Sequence, residues 1–279
     1  MLVAGSASVR AQTDTAGDAG MAELQARHAA LATQLSNNAF GRPLVLQSSD
    51  GNGTTSGDAY AVLDAPFSAV STTFKNPGRW CDVLILHLNT KQCRADAAAA
   101  PARIAVHMGR KKPQELKDAS VLAFDYRLAA SSARYISAQL NADKGPAGTS
   151  AYRIELQAIP IGDAKTFIHL RYAYAYTSAS RMAMQVYLTT LGSGKIGFTP
   201  AEGGAGHVTG MRGAIERNTM RYYLAIESYL KLPAPQQAQA RLERWFDATE
   251  QYADQLRETD RASYLAMKKQ ELARQQAGS

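Results

Sequence analysis

Apolar residues recur at every second position through most of residues 104–176, and this period constrains the fold more than any other feature of the sequence. A period of two is that of a β-strand, whose successive side chains point to opposite faces of a sheet. The positions between are largely polar, which indicates antiparallel strands with one covered and one solvated face. The alternating residues are Ile104, Val106, Met108, Leu122, Phe124, Tyr126, Leu128, Ile136, Ala138, Leu140, Tyr152, Ile154, Leu156, Ala158, Thr166, Ile168, Leu170, Tyr172, Tyr174 and Tyr176.

Helical spacing appears on both sides of these strands. Apolar residues three and four positions apart predict helices, Pro233 and Pro235 end the longest of them, and Gly162-Asp163 predicts a tight turn between the last two strands. The fold class is therefore α+β. The predicted helices lie at about 21–37, 66–74, 77–87, 179–191, 211–231 and beyond 236; further strands lie at 43–47 and 58–64, with a turn-rich loop at 48–57.

The first twelve residues resemble the end of a secretory signal. Val9 and Ala11 occupy the third-last and last positions before a small-residue cleavage site, so we expect a mature chain that begins near Gln12. The alternative is a disordered polar tail. A leader predicts an exported, periplasmic protein, and residues 12–20 are expected to be mobile.

Two cysteines, Cys81 and Cys93, bear on the same question. A close pair in an oxidising compartment predicts a disulfide, and the alternative is two reduced cysteines in the core. Neither has a C-x-x-C partner and no H-x-x-x-H occurs, so we predict no metal site. A nucleophile–base pair of Cys81 and His87 would require a free thiol, so no covalent chemistry and no cofactor are predicted.

The net charge of +7 is spread along the chain. Arg110-Lys111-Lys112 and Lys268-Lys269 are the tight basic clusters, and neither is interleaved with aromatic residues, so a nucleic-acid groove is not predicted. We expect a solvated surface that permits transient contact with an anionic membrane face. The glycines at 203–210 match neither G-x-G-x-x-G nor the Walker pattern, so no phosphate loop is predicted.

Two short motifs and the order of elements suggest a family. The motifs are Ala65-Pro66-Phe67-Ser68-Ala69-Val70 and Asn76-Pro77-Gly78-Arg79-Trp80, and a run of antiparallel strands and a long helix follow them. In this order the chain resembles the START-like (Bet v 1-like) superfamily over about residues 58–231, and we expect an exported bacterial member. The resemblance implies a helix-grip fold, in which a curved antiparallel sheet wraps helix 211–231 around a cavity.

The resemblance also implies a function and a division of the chain. Members of the superfamily bind lipids, sterols, polyketides or plant hormones, and some are cyclases or aromatases. The chain departs from the pattern by an N-terminal helix, an insertion at 178–210 and a C-terminal tail. We therefore predict a leader remnant with a mobile segment (1–20), an N-terminal helix with connecting strand and loop (21–57), a ligand-binding domain (58–231) and a helical extension (232–279).

The candidate binding residues lie on the last strand and the long helix. Tyrosine combines a broad apolar ring with a hydroxyl that can fix the polar end of a ligand. Arg217 and Arg221 are candidates to anchor a carboxylate or phosphate. The alternative is that they form ion pairs along the surface of the helix. For the rings, the alternative is a packed core with satisfied hydroxyls. The predicted set is Tyr126, Ile168, Leu170, Tyr172, Tyr174, Tyr176, Arg217, Arg221, Tyr222 and Ile226.

Residues 87–91 (His-Leu-Asn-Thr-Lys) suggest either an acid–base set or, as we expect, a polar surface strand edge. The sequence thus predicts a periplasmic carrier or sensor of a hydrophobic or amphipathic, lipid-like molecule. One alternative is a cyclase or isomerase that uses His169 or the tyrosines as proton donors. The other is an interaction protein with a filled core, whose tail docks a partner through Trp245 and Phe246. We expect that tail to pack on the body, because it would otherwise expose a costly apolar stripe.

Overall fold

An eight-stranded antiparallel sheet forms the centre of the computed structural model, which describes residues 6–182 and 194–277. The strand order is β1-β2-β8-β7-β6-β5-β4-β3, so the first hairpin pairs with the last strand. The two-residue period along 104–176 is confirmed, as is the turn at Gly162, where φ is 62°. The strands are β1 (Leu44–Gly51), β2 (Thr54–Leu63), β3 (Thr90–Asp96), β4 (Arg103–Met108), β5 (Ser120–Ser131), β6 (Ile136–Lys144), β7 (Thr149–Ile161) and β8 (Lys165–Tyr176).

Helices lie before, within and after the strand series. The short helices begin as predicted, and the Asn76 side chain accepts a hydrogen bond from the backbone N–H of Gly78. Among the described helices, none has the length and apolar character needed to cross a bilayer. Most of the helix predicted over 179–191 lies outside the described residues. The helices are α1 (Ser6–Ala30), α2 (Ala32–Ser36), α3 (Phe67–Phe74), α4 (Pro77–Leu84), α5 (Gly210–Lys231), α6 (Ala238–Glu250), α7 (Ala253–Leu256) and α8 (Arg261–Ala277).

Helix α1 begins at Ser6, within the segment before residue 21 for which we expect mobility. Its glycines lie against the sheet: a side chain at Gly20 would collide with the Tyr135 hydroxyl, and one at Gly17 would touch Ala130. Small residues that we associated with mobility thus let a helix approach the sheet closely. Nothing in this placement bears on the predicted cleavage near Gln12.

The outer face of the sheet is only partly solvated, in contrast to the prediction. Helices α1 and α2 cover β2, β7 and β8 and form a second apolar cluster there. The polar residues of the alternation surround this cluster. Its buried members are Leu24, Leu31, Leu35, Val45, Tyr60, Tyr135, Ile159 and Phe167.

The loop predicted at 48–57 is in fact a β-hairpin. Only Asn52 and Gly53 form the turn, and both have positive φ (52° and 75°), as a two-residue type I′ turn requires. The Ser, Thr and Gly residues of the two arms are strand residues beneath α5. At Gly57 the helix comes so close that any Cβ would overlap Thr219 Oγ1.

Helix α5 and the tail share one apolar core with the inner face of the sheet. Helix α5 packs against β1, β2 and β8 on one side and against α6 and α7 on the other. Trp245 and Leu256 are each 1% exposed and Tyr264 is fully buried. The prediction that the tail packs on the body is confirmed.

The segment 87–91 is not a surface edge, because α8 covers it. Lys91 and Lys268 are each fully buried and contact the two oxygens of Glu271, at 2.9 Å and 2.6 Å. Lys268 also donates to the carbonyls of His87 and Thr90. One carboxylate therefore ties the tail to the start of β3.

The predicted disulfide is confirmed. Cys81 on α4 is bonded to Cys93 on β3, and both are buried. The described residues hold no free cysteine. Helix α4 is thus fixed to the strand that also contacts the tail.

We predict that Gly57→Ala lowers the free energy of unfolding by about 1–3 kcal/mol, because its Cβ would force α5 away from β2. The double variant Gly57→Ala/Thr219→Ala should recover part of that loss. Gly51→Ala is the matched control, since a Cβ there meets nothing within 4 Å. Urea denaturation measures all three, and equal stability of Gly57→Ala and Gly51→Ala would contradict the close approach.

We predict that Glu271→Gln lowers the free energy of unfolding by about 3–5 kcal/mol, because two buried ammonium groups lose their shared counter-charge. Glu202→Gln removes the same charge from an exposed loop and should stay within about 0.5 kcal/mol of the wild type. Chemical denaturation of the two variants provides the comparison. A near-neutral Glu271→Gln would show that the cluster does not hold the tail.

Candidate functional site

Four tyrosines meet between the inner face of the sheet and α5, and we call them the tyrosine row. Strand β8 supplies Tyr172 and Tyr174, β7 supplies Tyr152, and α5 supplies Tyr222. The ring centroids of Tyr152 and Tyr174 lie 5.1 Å apart, and those of Tyr172 and Tyr222 lie 5.2 Å apart. The period of β8 places alternate residues on this face, as the sequence predicts.

Most hydroxyls of the tyrosine row have no protein partner. Tyr152 Oη lies 2.8 Å from Thr149 Oγ1. The hydroxyls of Tyr172, Tyr174 and Tyr222 form no hydrogen bond with any residue that the structure describes. Burial raises the pKa of each of these three hydroxyls, most clearly at Tyr172, so all three remain neutral. Each is available to donate or accept a hydrogen bond.

His87 continues the row at its Tyr222 end. The two rings are stacked with centroids 4.9 Å apart, and His87 is 1% exposed. Its Nδ1 accepts from the backbone N–H of Asn89 at 3.2 Å, while Nε2 has no hydrogen-bond partner in the described part of the chain. Burial lowers the pKa of His87 well below its ordinary value, the charges of Arg221, Lys111 and Lys268 lower it further, and a polar contact with the Asn218 side chain opposes this by less. The imidazole is therefore neutral.

Other predicted binding residues do not join this row. The Tyr126 hydroxyl donates to the Phe74 carbonyl at 2.9 Å, and burial raises its pKa to about 12. The Tyr176 hydroxyl donates to Asp50 at 2.7 Å. Both hydroxyls thus have structural partners. Ile168, Leu170 and Ile226 are buried in the main core, on the same side of the sheet.

The polar residues of α5 are paired inside the protein, not along the helix surface as expected. Glu216 is fully buried and accepts hydrogen bonds from Ser48 and from the backbone of residues 198 and 199. Arg217 donates to the Ile196 carbonyl at 3.0 Å. Arg221 binds the Leu256 carbonyl and contacts Glu258 at 2.8 Å. Arg221 is thus tied to the tail, and Arg217 to the segment before α5.

His169 lies on the outer face of the sheet, which corrects its suggested role as a proton donor in the cavity. Its Nε2 is 2.7 Å from Asp58 Oδ1, and Arg171 contacts the same carboxylate at 3.0 Å. Its ring stacks on Tyr60, with centroids 4.3 Å apart. Because neighbours on a strand face opposite ways, His169 cannot share a cavity with Tyr172.

Nothing in the described residues groups three metal-binding side chains. Sequence analysis left His87 and Tyr152 outside the predicted binding set, together with Lys111 and Lys195 beside Glu258, whereas it included Arg221. Tyr152 belongs to the same alternation as Tyr172, so that pattern contained the signal. His87 was considered only with Cys81 and with its neighbours in residues 87–91, because its surroundings come from the tail and α5.

No family model matches the chain, and no curated protein sequence matches it significantly. Norcoclaurine synthase from Thalictrum flavum is 14% identical over 53% of this chain and 79% of its own, with a TM-score of 0.35. Human StAR-related lipid transfer protein 5 is 10% identical over 76% and 97%, with a TM-score of 0.38. An aromatase/cyclase from a Streptomyces species is 11% identical over 70% and 96%, with a TM-score of 0.35.

These superpositions are too loose to carry an argument, and the strand order of the chain itself defines the fold. A hairpin, two short helices, six further antiparallel strands and a long helix follow one another, and the hairpin pairs with the last strand. This is the α+β helix-grip arrangement that the sequence predicts.

We predict that Tyr172→Phe changes the free energy of unfolding by less than about 0.5 kcal/mol, because its hydroxyl has no bond to lose. Tyr126→Phe should lower it by about 1–3 kcal/mol, since the buried Phe74 carbonyl loses its donor. Both variants are measured by chemical denaturation of ligand-free protein. A similar loss in the two would mean that the Tyr172 hydroxyl is paired.

Proposed function

We propose that the protein binds an amphipathic small molecule between the sheet and α5, as a carrier or sensor and not as a catalyst. The observation that carries this proposal is the set of partnerless hydroxyls at Tyr172, Tyr174 and Tyr222. These three side chains are at most 6% exposed, and a hydroxyl without a protein partner can donate to or accept from a polar group of a ligand. A ligand with a polar group at one end would complete these bonds.

The rings around those hydroxyls supply the apolar part of the site. Ligand sites are typically lined by aromatic side chains with a few placed polar groups, and the tyrosine row combines both. Ile168, Leu170 and Ile226 extend the apolar surface on the same side of the sheet. The composition of this region therefore suits a hydrophobic body with a single polar end.

An exported, bacterial, periplasmic location is part of the proposal. The disulfide between Cys81 and Cys93 supports it, because such bonds persist in oxidising compartments. The leader-like first twelve residues point the same way. The net charge of +7 would favour transient contact with anionic lipid during loading or release.

A second candidate is a cyclase or isomerase activity at the same place. The specific observation that favours it is the neutral His87 ring stacked on Tyr222, with Nε2 free to exchange a proton. In this alternative His87 takes the role that we first suggested for His169. The third candidate, an interaction protein, requires the interior to be fully packed by the rings themselves.

We predict that an uncharged fluorescent probe, N-phenyl-1-naphthylamine, binds the wild type, and that Tyr174→Ala changes its affinity several-fold. Tyr174→Ala should cost less stability than Phe74→Ala, because a ring beside a ligand space loses fewer contacts than a ring in dense core. Phe74 is the control, since it is fully buried against Trp80 at 4.9 Å and distant in sequence from the row. Its truncation should cost about 3–5 kcal/mol without changing probe affinity.

One denaturation series with and without the probe yields both quantities. Absence of probe binding to the wild type, together with a full core penalty at Tyr174, would refute the binding proposal. The interaction-protein alternative would then be preferred. Native mass spectrometry of freshly purified protein adds an independent readout, since a carrier is expected to retain a small molecule.

A further inference from the structure

Five cations and only two carboxylates form ion pairs at the His87 end of the tyrosine row. Lys111, Lys195 and Arg221 contact the single carboxylate of Glu258, at 2.5, 3.8 and 2.8 Å. Lys91 and Lys268 contact the single carboxylate of Glu271. In the described part of the chain, no other carboxylate forms an ion pair with these five cations.

Such a surplus is costly inside a protein. Charges removed from water need close counter-charges, and an unpaired one costs several kcal/mol or shifts its pKa. Burial, and after it the charge of Arg221, lower the pKa of Lys111 to about 8 in spite of Glu258. The structure therefore holds positive charge here that its own carboxylates do not balance.

Two unused nitrogen atoms lie at the inner end of this cluster. Arg221 is 1% exposed and its Nε has no hydrogen-bond partner in the described residues; the same holds for His87 Nε2. The Arg221 charge acts directly on the His87 ring. Both groups can donate a hydrogen bond, and both are fully desolvated, so a bound anionic oxygen would be strongly held.

The two nitrogen atoms lie at one end of the tyrosine row, so the two ends of the site differ in charge. His87 stacks on Tyr222, and Tyr222 contacts Tyr172 edge to face. Cations therefore lie at one end of the row and aromatic rings extend from it. Lys111 and Lys195 are about a quarter exposed, so the cluster runs from the surface to His87.

We infer that the ligand is an acidic amphiphile, whose carboxylate or phosphate oxygen binds at His87 and Arg221 while its apolar body lies along the tyrosine row. This inference rests on the proposed function and adds the chemical class of the ligand. The anion supplies the negative charge that Glu258 and Glu271 leave unmatched. It also gives His87 Nε2 and Arg221 Nε their missing acceptor.

The test compares ligands that share a chain and differ in the head group. Oleyl alcohol, oleate and oleyl phosphate each displace N-phenyl-1-naphthylamine from the full-length protein, at a salt concentration held constant. We expect at least one of the two acids to bind about tenfold or more tightly than the alcohol, as a charge-assisted hydrogen bond implies. The tighter acid identifies the head group.

Two variants test whether a preference for acids depends on His87 and on the cations around Glu258. Lys111→Met removes a cation beside Glu258, and His87→Phe keeps the ring on Tyr222 but removes Nε2. Both should reduce the ratio of acid to alcohol affinity several-fold. Lys269→Met, an exposed lysine on the same tail helix as Lys268, is the matched control and should keep the wild-type ratio.

The outcomes separate the two proposals. If no ligand displaces the probe, or the probe does not bind, the proposed function fails and the inference with it. If the alcohol binds as tightly as both acids, or if His87→Phe and Lys111→Met both retain the preference, the binding function stands and the anionic class is refuted. Each variant tests the inference by itself, so if one of them misfolds, the other still decides it.

Discussion

Helix α5 is covered on both sides, and this constraint organises the protein. The sheet packs against one side and the tail helices α6 and α7 against the other, so even its charged residues are removed from water. The buried charged side chains of α5 must therefore find partners inside the molecule. Glu216 binds the segment before the helix, Thr219 donates to its own helix backbone, and Arg221 binds the tail. The segment before α5 and the tail are therefore held in place by hydrogen bonds and ion pairs to α5.

The features that the sequence predicts well are those with a local cause. Strand alternation and helical spacing depend on neighbouring residues, so β4 to β8 and α5 follow from the pattern, with α5 beginning one residue early at Gly210. The disulfide follows from two cysteines and an expected compartment. The inner position of Tyr172 and the outer position of His169 also follow from the alternation, once the face that α5 covers is known.

The features that were missed depend on segments distant in sequence. The loop expected at 48–57 forms strands whose small residues lie beneath α5. The residues near Gly57 in sequence give no sign that Thr219 of α5 packs against it. Residues 87–91 seemed solvated because their partners lie in the tail, with 180 residues between Lys91 and Glu271. The pairing of Lys111, Lys195 and Arg221 with Glu258 could not be predicted for the same reason. Polar composition predicts solvent exposure only where no remote segment supplies counter-charges.

The tail connects stability to the candidate site. It supplies both Glu258 and Glu271, so without it the cations near His87 would lose every carboxylate that pairs with them among residues 6–182 and 194–277. Buried ion clusters of this kind seldom stabilise a fold beyond what apolar residues of similar size would provide. In the function we propose, the cluster at one end of the aromatic row serves recognition more than stability. A tail that balances only part of the charge would hold Lys111 and Arg221 in place and leave positive potential for the proposed ligand. A fully neutral cluster would be more stable, but it would offer an acidic head group nothing to bind.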